Sequence, residues 1–390
     1  MTKRTRGQNE ASIYKRKSDS RWCGAVSVGG GKRKYAYGKT RADVARKIDA
    51  IRASLSQGIQ PADERITVED VIGQWLNVKR QTVRPKTAAG YADLMRVHVI
   101  PSLGSYKLPK LSPADLERLY ADRLKVISPQ TVRNVHIVLS QVLSWAVRRE
   151  MIGRNPAQLI AAEDLPKVIK KPPTVLSPEQ ARKLIDVAAG TRSETLIALA
   201  LTTGARLGEL TGLTWDRVEL PDERNLDKPA TVRIDRALQF EDGKPVHVET
   251  KTAASRRTLT LTNIALVSLR QHRLEQNETA LRLGKKWGND LDLVFTNEIG
   301  KALNRNVVLR RYFRPLLRAA CLPVTMRFHD LRHAAASLLL ADGLPIPLVS
   351  EMLGHANPSI TMSVYSHALP NSQHVAASAM DALLGNRQQV

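Results

Sequence analysis

Residues 196–201, Leu-Ile-Ala-Leu-Ala-Leu, run without a break into Thr202-Thr203-Gly204-Ala205-Arg206-Leu207-Gly208-Glu209-Leu210. A run that is apolar on every face belongs inside a fold, so a buried helix here delivers an arginine at its end. Glu209 follows Arg206 at i+3, close enough for a helical ion pair, and its expected task is to position Arg206. Three stretches downstream carry a similarly unusual set of polar residues. Glu249-Thr250-Lys251-Thr252, followed by Ser255-Arg256-Arg257, reads as a turn between two strands that projects Lys251 outward. His329-Asp330-Leu331-Arg332-His333 opens an apolar helix, with Asp330 as its cap, and Leu353-Gly354-His355 precedes Tyr365 by ten residues. Strand-like segments at 231–238, 246–249 and 257–261 lie between helices. This part begins near Thr174 with a cap, Ser177-Pro178-Glu179, and reads as one α+β domain.

Across 390 residues, 60 Lys and Arg face 37 Asp and Glu, a formal net charge of +23 and a pI near 10.3. That balance is too lopsided for an ordinary metabolic enzyme and implies a polyanionic partner. Hydrophobic residues at 43% exclude a chain that is mostly a disordered basic tail. The length allows two or three domains. Cys23 and Cys321 cannot build a disulfide framework, which favours a reducing compartment. The Met1 end lacks the apolar core of a signal peptide, and no apolar run nears the ~20 residues that span a bilayer. The expectation is a soluble protein of the bacterial cytoplasm, with no membrane partner.

The first 60 residues carry +11 of the net charge. Trp22, Gly24, Val26 and Val28 alternate with their neighbours as a half-buried strand does, Gly29-Gly30-Gly31 supplies a turn, and Tyr35 and Tyr37 alternate through a second strand. From the N-cap candidate Thr40, Val44, Ile48, Ile51 and Leu55 recur at helical spacing. This predicts a small β-sheet packed on one helix over residues 1–62. Lys15, Arg16, Lys17, Lys32, Arg33 and Lys34 would lie exposed beside aromatic residues, as nucleic-acid contacts do. After a linker, residues 63–165 read as four helices. Val68, Val71, Ile72, Trp75 and Leu76 make one apolar stripe behind a Thr67/Asp70 cap. A second helix bears Tyr91, Leu94, Met95 and Val99 and stops at Pro101. Ser112-Pro113 and Ser128-Pro129 open the third and fourth. Lys79, Arg80, Arg84 and Lys86 are candidate phosphate contacts on this domain. Lys167, Lys170, Lys171, Pro172 and Pro173 mark a second linker.

Together the four C-terminal stretches resemble the tyrosine recombinase (phage integrase) family. Its pattern is an Arg in a T-G-x-R-x-x-E-L context, a Lys in a β-hairpin, H-x-x-R, L-G-H and a nucleophilic Tyr. Arg206, Lys251, His329, Arg332, His355 and Tyr365 fill all six positions in order over roughly 200 residues. The resemblance implies a multidomain, mainly α protein with small β-sheets. Its domains would be an arm-type DNA-binding domain (1–62), a helical core-binding domain (63–165) and an α+β catalytic domain with a C-terminal tail (166–390). It further implies an integrase that cleaves and rejoins duplex DNA through a 3′-phosphotyrosine bond, integrating or excising a phage or mobile element. Implied partners are core and arm-type DNA sites and a homotetramer on DNA. Where the element requires them, a host DNA-bending protein and an excision factor join these. The segment traded between protomers would be residues 371–384, with Val375, Met380 and Leu383.

The residue types suit that chemistry. Breaking a phosphodiester builds negative charge on the phosphoryl oxygens, which Arg206 and Arg332 can clamp with charge-assisted donors and His355 can join. A tyrosine phenol has an ordinary pKa of ~10 and needs a base, for which His329 is the candidate. Lys251 can protonate the departing 5′-oxygen. The phosphotyrosine conserves the phosphodiester energy, so neither ATP nor a metal or other cofactor is required. Tyr312, Tyr120 and Tyr91 are rival nucleophiles but lie upstream of the His and Arg motifs. A zinc reading of His329 and His333 at i and i+4 has Asp330 where a metalloprotease carries Glu, and Arg332 on the same face would repel the ion.

Overall fold

The computed structural model describes residues 12–27, 33–56, 65–169, 174–221, 228–250 and 253–365, with positions 377, 380, 381 and 384. Its elements divide between two units, Met1–Lys170 and Lys171–Val390.

In the first unit, β1 (Ser12–Lys15), β2 (Trp22–Ser27) and β3 (Arg33–Gly38) pair antiparallel in that order, with α1 (Arg41–Ser56) against one face. Side chains alternate across the sheet. Ile13, Trp22 and Ala36 therefore face Val44 and Ile48 of α1 in a small core. The helix can approach because Gly24 has no side chain: a Cβ there would meet Ile48 Cδ1 at 2.6 Å. Tyr14, Tyr35 and Tyr37 occupy the opposite face, each roughly half exposed. They stand opposite Cys23 and Ala25 in register. These two small residues lie beneath the tyrosines, so β2 is buried on both sides instead of one. β1 carries no sequence signal, because four residues with one aliphatic side chain give no period. Val28, Gly29-Gly30-Gly31 and Lys32 lie outside the described residues.

A second core in this unit, sharing no residue with the first, gathers around Trp75. It is enclosed by α2 (Val68–Thr82), α3 (Pro85–His98), α4 (Ile100–Leu103), α5 (Pro113–Leu124) and α6 (Pro129–Arg148). Thr67 and Asp70 form a reciprocal capping box, Thr67 N donating to Asp70 Oδ2 at 2.9 Å and Asp70 N to Thr67 Oγ1 at 3.2 Å. Aspartate serves here in place of the usual Glu or Gln. Pro101 does not stop the second helix. That helix ends at His98, and Pro101 sits in the first turn of the one-turn α4, where its missing N–H leaves no bond unmade.

The second unit is built around α8 (Glu194–Thr203), where residues 195–201 are all buried. It packs on α7 (Pro178–Ala188), α10 (Asn263–Leu283) and α13 (His329–Ala341). After α8 come α9 (Leu207–Thr211) and the strands β4 (Val218–Glu219), β5 (Thr231–Ile234), β6 (Arg236–Glu241), β7 (Lys244–Glu249) and β8 (Arg257–Thr260). One sheet has the order β4-β5-β8; β6 and β7 form a separate hairpin turned by Asp242-Gly243, both at positive φ. The segment 231–238 is therefore two strands. The break falls at Asp235, whose carboxylate accepts from Arg217 Nε at 3.0 Å and pairs with Arg233 Nε at 3.2 Å where the chain changes sheets. α11 (Arg305–Val307) widens through a π-helical stretch, Val308–Phe313, into α12 (Arg314–Ala319), and α14 (Ile346–Leu353) and α15 (Pro358–Tyr365) complete the unit.

Gly204 ends α8 in the left-handed region at φ +60, and a Cβ there would meet Leu353 Cδ2 at 2.5 Å. Gly190, at φ +68, has nothing within 4 Å of its Cβ position. Both Gly→Ala substitutions should incur the left-handed penalty of roughly 1 kcal/mol. Gly204→Ala should add overpacking of about 1–3 kcal/mol. Chemical denaturation of both variants in the full chain checks this; equal destabilisation would show that Leu353 yields freely.

Candidate active site

Arg206 precedes α9, so its backbone N–H is one of the orphan donors of a helix start. Glu209 Oε2 accepts that N–H at 3.0 Å, and its Oε1 accepts from Arg206 Nη1 at 2.7 Å. The Arg206 side chain is 40% exposed and Glu209 4%. The arginine is thus held from below and open above. Glu209 also accepts from Arg257 Nη2 at 3.0 Å. Burial alone would raise the Glu209 carboxyl, but the charge of Arg257 and the donors and charge of Arg206 outweigh it and hold the pKa below the ordinary value.

His329 is the first residue of α13 and Arg332 the fourth. Arg332 is buried, and its Nη1 donates to the carbonyl of Gly204 at 2.9 Å, two residues before Arg206. This bond joins the start of α13 to the end of α8. Asp330 is not the N-cap expected, which is Phe328 with no side-chain cap bond; it lies in the first turn of α13 and accepts from Arg327 N at 2.8 Å and from Arg327 Nη2 at 2.7 Å. The rings of His329 and His333 meet edge to face at 5.0 Å. His355 follows Gly354, the left-handed C-cap of α14, and its Nδ1 lies 2.8 Å from Thr361 Oγ1. Thr361 is fully buried on α15, one turn before Tyr365.

Electrostatics tie these groups into one site. Desolvation, then His333, Arg332, Arg206 and Arg327, lower His329 to about 4. His329 nevertheless remains exposed to solvent, as a proton-transfer group requires. His355 is also lowered to about 4, first by burial and then by Arg332, Arg206, Arg257 and His329. Both imidazoles are neutral at pH 7 because they are desolvated and cations crowd them. A phosphate anion placed among Arg206, Arg332 and the N-terminus of α13 would find donors and positive potential on several sides.

Among the predicted residues, Arg206, His329, Arg332 and His355 come together. Lys251 lies outside the described residues. Its segment connects β7 to β8, which belong to different sheets, and so is not the turn of a paired hairpin. The backbone of Tyr365 ends α15; its side chain lies outside the described residues. The rival tyrosines have structural places. Tyr120 is buried with its hydroxyl 3.1 Å from His136, Tyr91 packs on Trp75, and Tyr312 donates to Glu298. Among the described residues, no three His, Cys, Asp or Glu gather as a metal site. No described helix is long and apolar enough to cross a membrane.

Of the candidate DNA contacts, Lys15, Arg16, Lys17 and Arg33 are exposed on the N-terminal sheet, and Arg16 stands over Tyr37 at 5.6 Å. Lys34 is partly buried on the α1 side. Arg80, Arg84 and Lys86 are exposed, and Lys79 lies over Trp75. A row of exposed arginines not expected from the sequence, Arg305, Arg310, Arg311, Arg314 and Arg318, runs from α11 through the π-helical stretch into α12. The spacing of Arg310, Arg314 and Arg318 at i, i+4 and i+8 was the available signal. Arg257 and Thr361 were likewise not expected at the site.

Comparison with known proteins fits this geometry. Residues 174–372 match the model of the phage integrase family, and residues 67–125 match the phage integrase N-terminal SAM-like domain. An integrase of Streptomyces ambofaciens is 31% identical over 98% of this chain and 98% of its own length. A tyrosine recombinase XerC-like protein of Caldanaerobacter subterraneus is 27% identical over 90% of this chain and 92% of its own. In fold, the chain is similar to the Tn1549 transposon integrase solved with circular intermediate DNA. The TM-score is 0.67 at 20% identity, covering 81% of this chain and 99% of that one. It is also similar to a lambda integrase tetramer bound to a Holliday junction, with a TM-score of 0.54 at 15% identity over 93% and 96%. The chain belongs to the phage integrase family of tyrosine recombinases.

Proposed function

We propose that the chain cleaves and rejoins duplex DNA at two specific sites, with Tyr365 as nucleophile and Arg206, Lys251, His329, Arg332 and His355 as its catalytic partners. The observation that carries this reading is the convergence of two guanidiniums and two neutral imidazoles on one spot, with the Tyr365 helix tied to it through Thr361. In the proposed step, the Tyr365 oxygen attacks the scissile phosphorus as neutral His329 takes the phenolic proton. The phosphorus–O5′ bond breaks, and Lys251 supplies the proton that leaves a 5′-hydroxyl. Arg206, Arg332 and His355 hold the non-bridging oxygens. In the tautomer this role requires, the Thr361 hydroxyl 2.8 Å away donates to Nδ1 of His355 and the ring proton sits on Nε2, where it can point at a phosphoryl oxygen. Reversal with an incoming 5′-hydroxyl rejoins a strand, and His329 returns its proton to the tyrosine.

Three modules serve this reaction. Residues 1–62 bind arm-type DNA through the tyrosine-lined sheet face and its flanking cations, residues 63–165 hold the core site, and residues 166–390 hold it and cut it. The arginine row from α11 into α12 suits phosphates of the core duplex. Two sites of two strands call for four protomers. β8 is an edge strand among the described residues, beside a groove of about 770 Å³ lined by Leu259, Leu344, Leu348 and Met352. That groove supports reception of a neighbour's apolar tail. Of the tail only Ala377, Met380, Asp381 and Leu384 are described, all exposed.

Tyr365→Phe should bind core duplex as the parent does and form no covalent complex on a nicked suicide substrate, with or without EDTA. Trapping by the variant on a denaturing gel would move the nucleophile to another tyrosine, and a parent dead in EDTA would show that the protein cations do not suffice.

The depressed histidines predict a pH dependence in the DNA-free protein. An unfolded histidine titrates near ~6.5, while His329 and His355 are lowered to about 4 when folded. Between those values the unfolded chain binds more protons, so stability should be intact above pH ~6.5 and fall as pH drops toward ~4. The double variant His329→Gln/His355→Gln should flatten that part of the Tm profile; an unchanged slope would assign the fall to other groups.

Deleting residues 1–62 should spare suicide cleavage of an isolated core site and abolish arm binding. Within the arm complex of the full chain, each neutralised phosphate steepens the fall of log affinity against log salt by ~0.9. A salt series on arm and core duplexes reads both proteins; failure of core cleavage with intact arm binding would overturn the assignment of modules.

A further inference from the structure

Arg257 opens β8 with its side chain 5% exposed, and three of its nitrogens donate, two to distant segments of the second unit and one to the chain just before the strand. Nη2 reaches Glu209 Oε2 at 3.0 Å, Nε reaches the carbonyl of Met352 at 2.7 Å, and Nη1 reaches the carbonyl of Ser255 at 3.1 Å. The first partner is the carboxylate that holds both the backbone and the guanidinium of Arg206. The second lies in the last turn of α14, three residues before His355. The packing there is tight: a Cβ on Gly354 would come within 3.0 Å of Arg257 Nη1. A buried ion pair is weak evidence of stability, since desolvation offsets the attraction. A planar fork that bonds two acceptors on distant segments, Glu209 and Met352, and braces itself on its own strand entry at Ser255 does something a hydrophobic filler cannot, which is to fix the relative placement of those segments.

We propose that Arg257 is a positioning residue of the recombinase site. Through Glu209 it sets Arg206, and through the Met352 carbonyl it sets the Gly354-His355 turn, so that both donors meet the same phosphoryl group. Arg257 itself does not touch DNA. This inference rests on the function proposed above. Neither partner is visible from the residue's sequence neighbours, because Glu209 is 48 positions away and Met352 95.

The test substitutes Arg257→Lys, which keeps the charge but cannot reach three acceptors at once. Parent and variant are compared in full length for cooperative unfolding, for core-duplex binding, and for covalent-complex formation on two suicide substrates. One substrate carries the normal scissile phosphate. The other carries a neutral methylphosphonate, which lacks one charged oxygen and so asks less of the phosphoryl clamp. The variant should fold and bind like the parent, and form the covalent complex about 10- to 100-fold more slowly on the phosphate. On the methylphosphonate the deficit should shrink to within about threefold, because misplaced clamp donors matter less there. A parental rate on the phosphate, or an equal deficit on both substrates, would overturn the inference. If Arg257→Lys does not unfold cooperatively, Arg257→Gln is read in the same comparison; if both variants are unfolded, Arg257 is a folding residue and the inference falls. A parent that traps neither substrate would instead count against the proposed function.

Discussion

One buried carboxylate, Glu209, ties two cations of this site together. Glu209 takes two bonds from Arg206 and one from Arg257, while Arg332 lies close enough to press on the same imidazoles. Burying a charge without partners is costly, so Glu209 must be saturated with donors, and it is. Two buried acids, Glu209 and Asp330, among Arg206, Arg257, Arg327 and Arg332 leave this group of described residues with excess positive charge. That excess adds to desolvation in lowering both imidazoles and keeps them neutral. A scissile phosphate would supply the missing anion, so the free site is electrostatically incomplete in the way a phosphoryl-transfer site should be. The same imbalance implies that DNA binding raises both histidines, bringing the proposed base His329 nearer to neutrality when it is used.

The side chains are held at element ends, where backbone direction changes. Arg206 lies between α8 and α9, His329 at the first turn of α13, and His355 after the C-cap of α14. Ends are where a chain can present a side chain to solvent while the element behind it stays buried. The cost is close registration between ends that belong to different helices. Two backbone carbonyls solve it: Gly204 accepts from Arg332 and Met352 from Arg257. The left-handed glycines Gly204 and Gly354 belong to the same solution, since both turn sharply where a Cβ would collide with a neighbour.

What could be read in the sequence follows from this layout. Arg206, His329, Arg332 and His355 were legible because polar residues beside apolar runs are conspicuous, and their order carries the family pattern. The caps at Thr67, Ser112, Ser128 and Ser177 were legible because capping is local chemistry. Arg257 was not: among 60 basic residues one arginine is inconspicuous, and its three acceptors include two backbone carbonyls. Thr361 was hidden because its partner, His355, meets it only once α15 folds back on the α14 turn. The strands were illegible where local signal was short, as in β1, or where one apolar segment served two sheets, as at Asp235. Pro101 misled because a proline that ends one helix can also begin the next.

The N-terminal sheet obeys a different logic from the catalytic site. Its open face sets Tyr14, Tyr35 and Tyr37 over Cys23 and Ala25, small residues that let the rings lie close to the backbone and remain half exposed. Aromatic faces left in water are unfavourable unless something covers them, and Arg16 beside Tyr37 adds a cation at the rim. A duplex arm would bring both sugar-phosphate charge and apolar base edges to that face. In the proposed division of modules, the net +11 of residues 1–60 would attract any DNA irrespective of base sequence, and the tether would raise the local concentration of the catalytic unit near a core site. Specificity must then come from contacts within each module, because charge alone cannot tell one duplex from another.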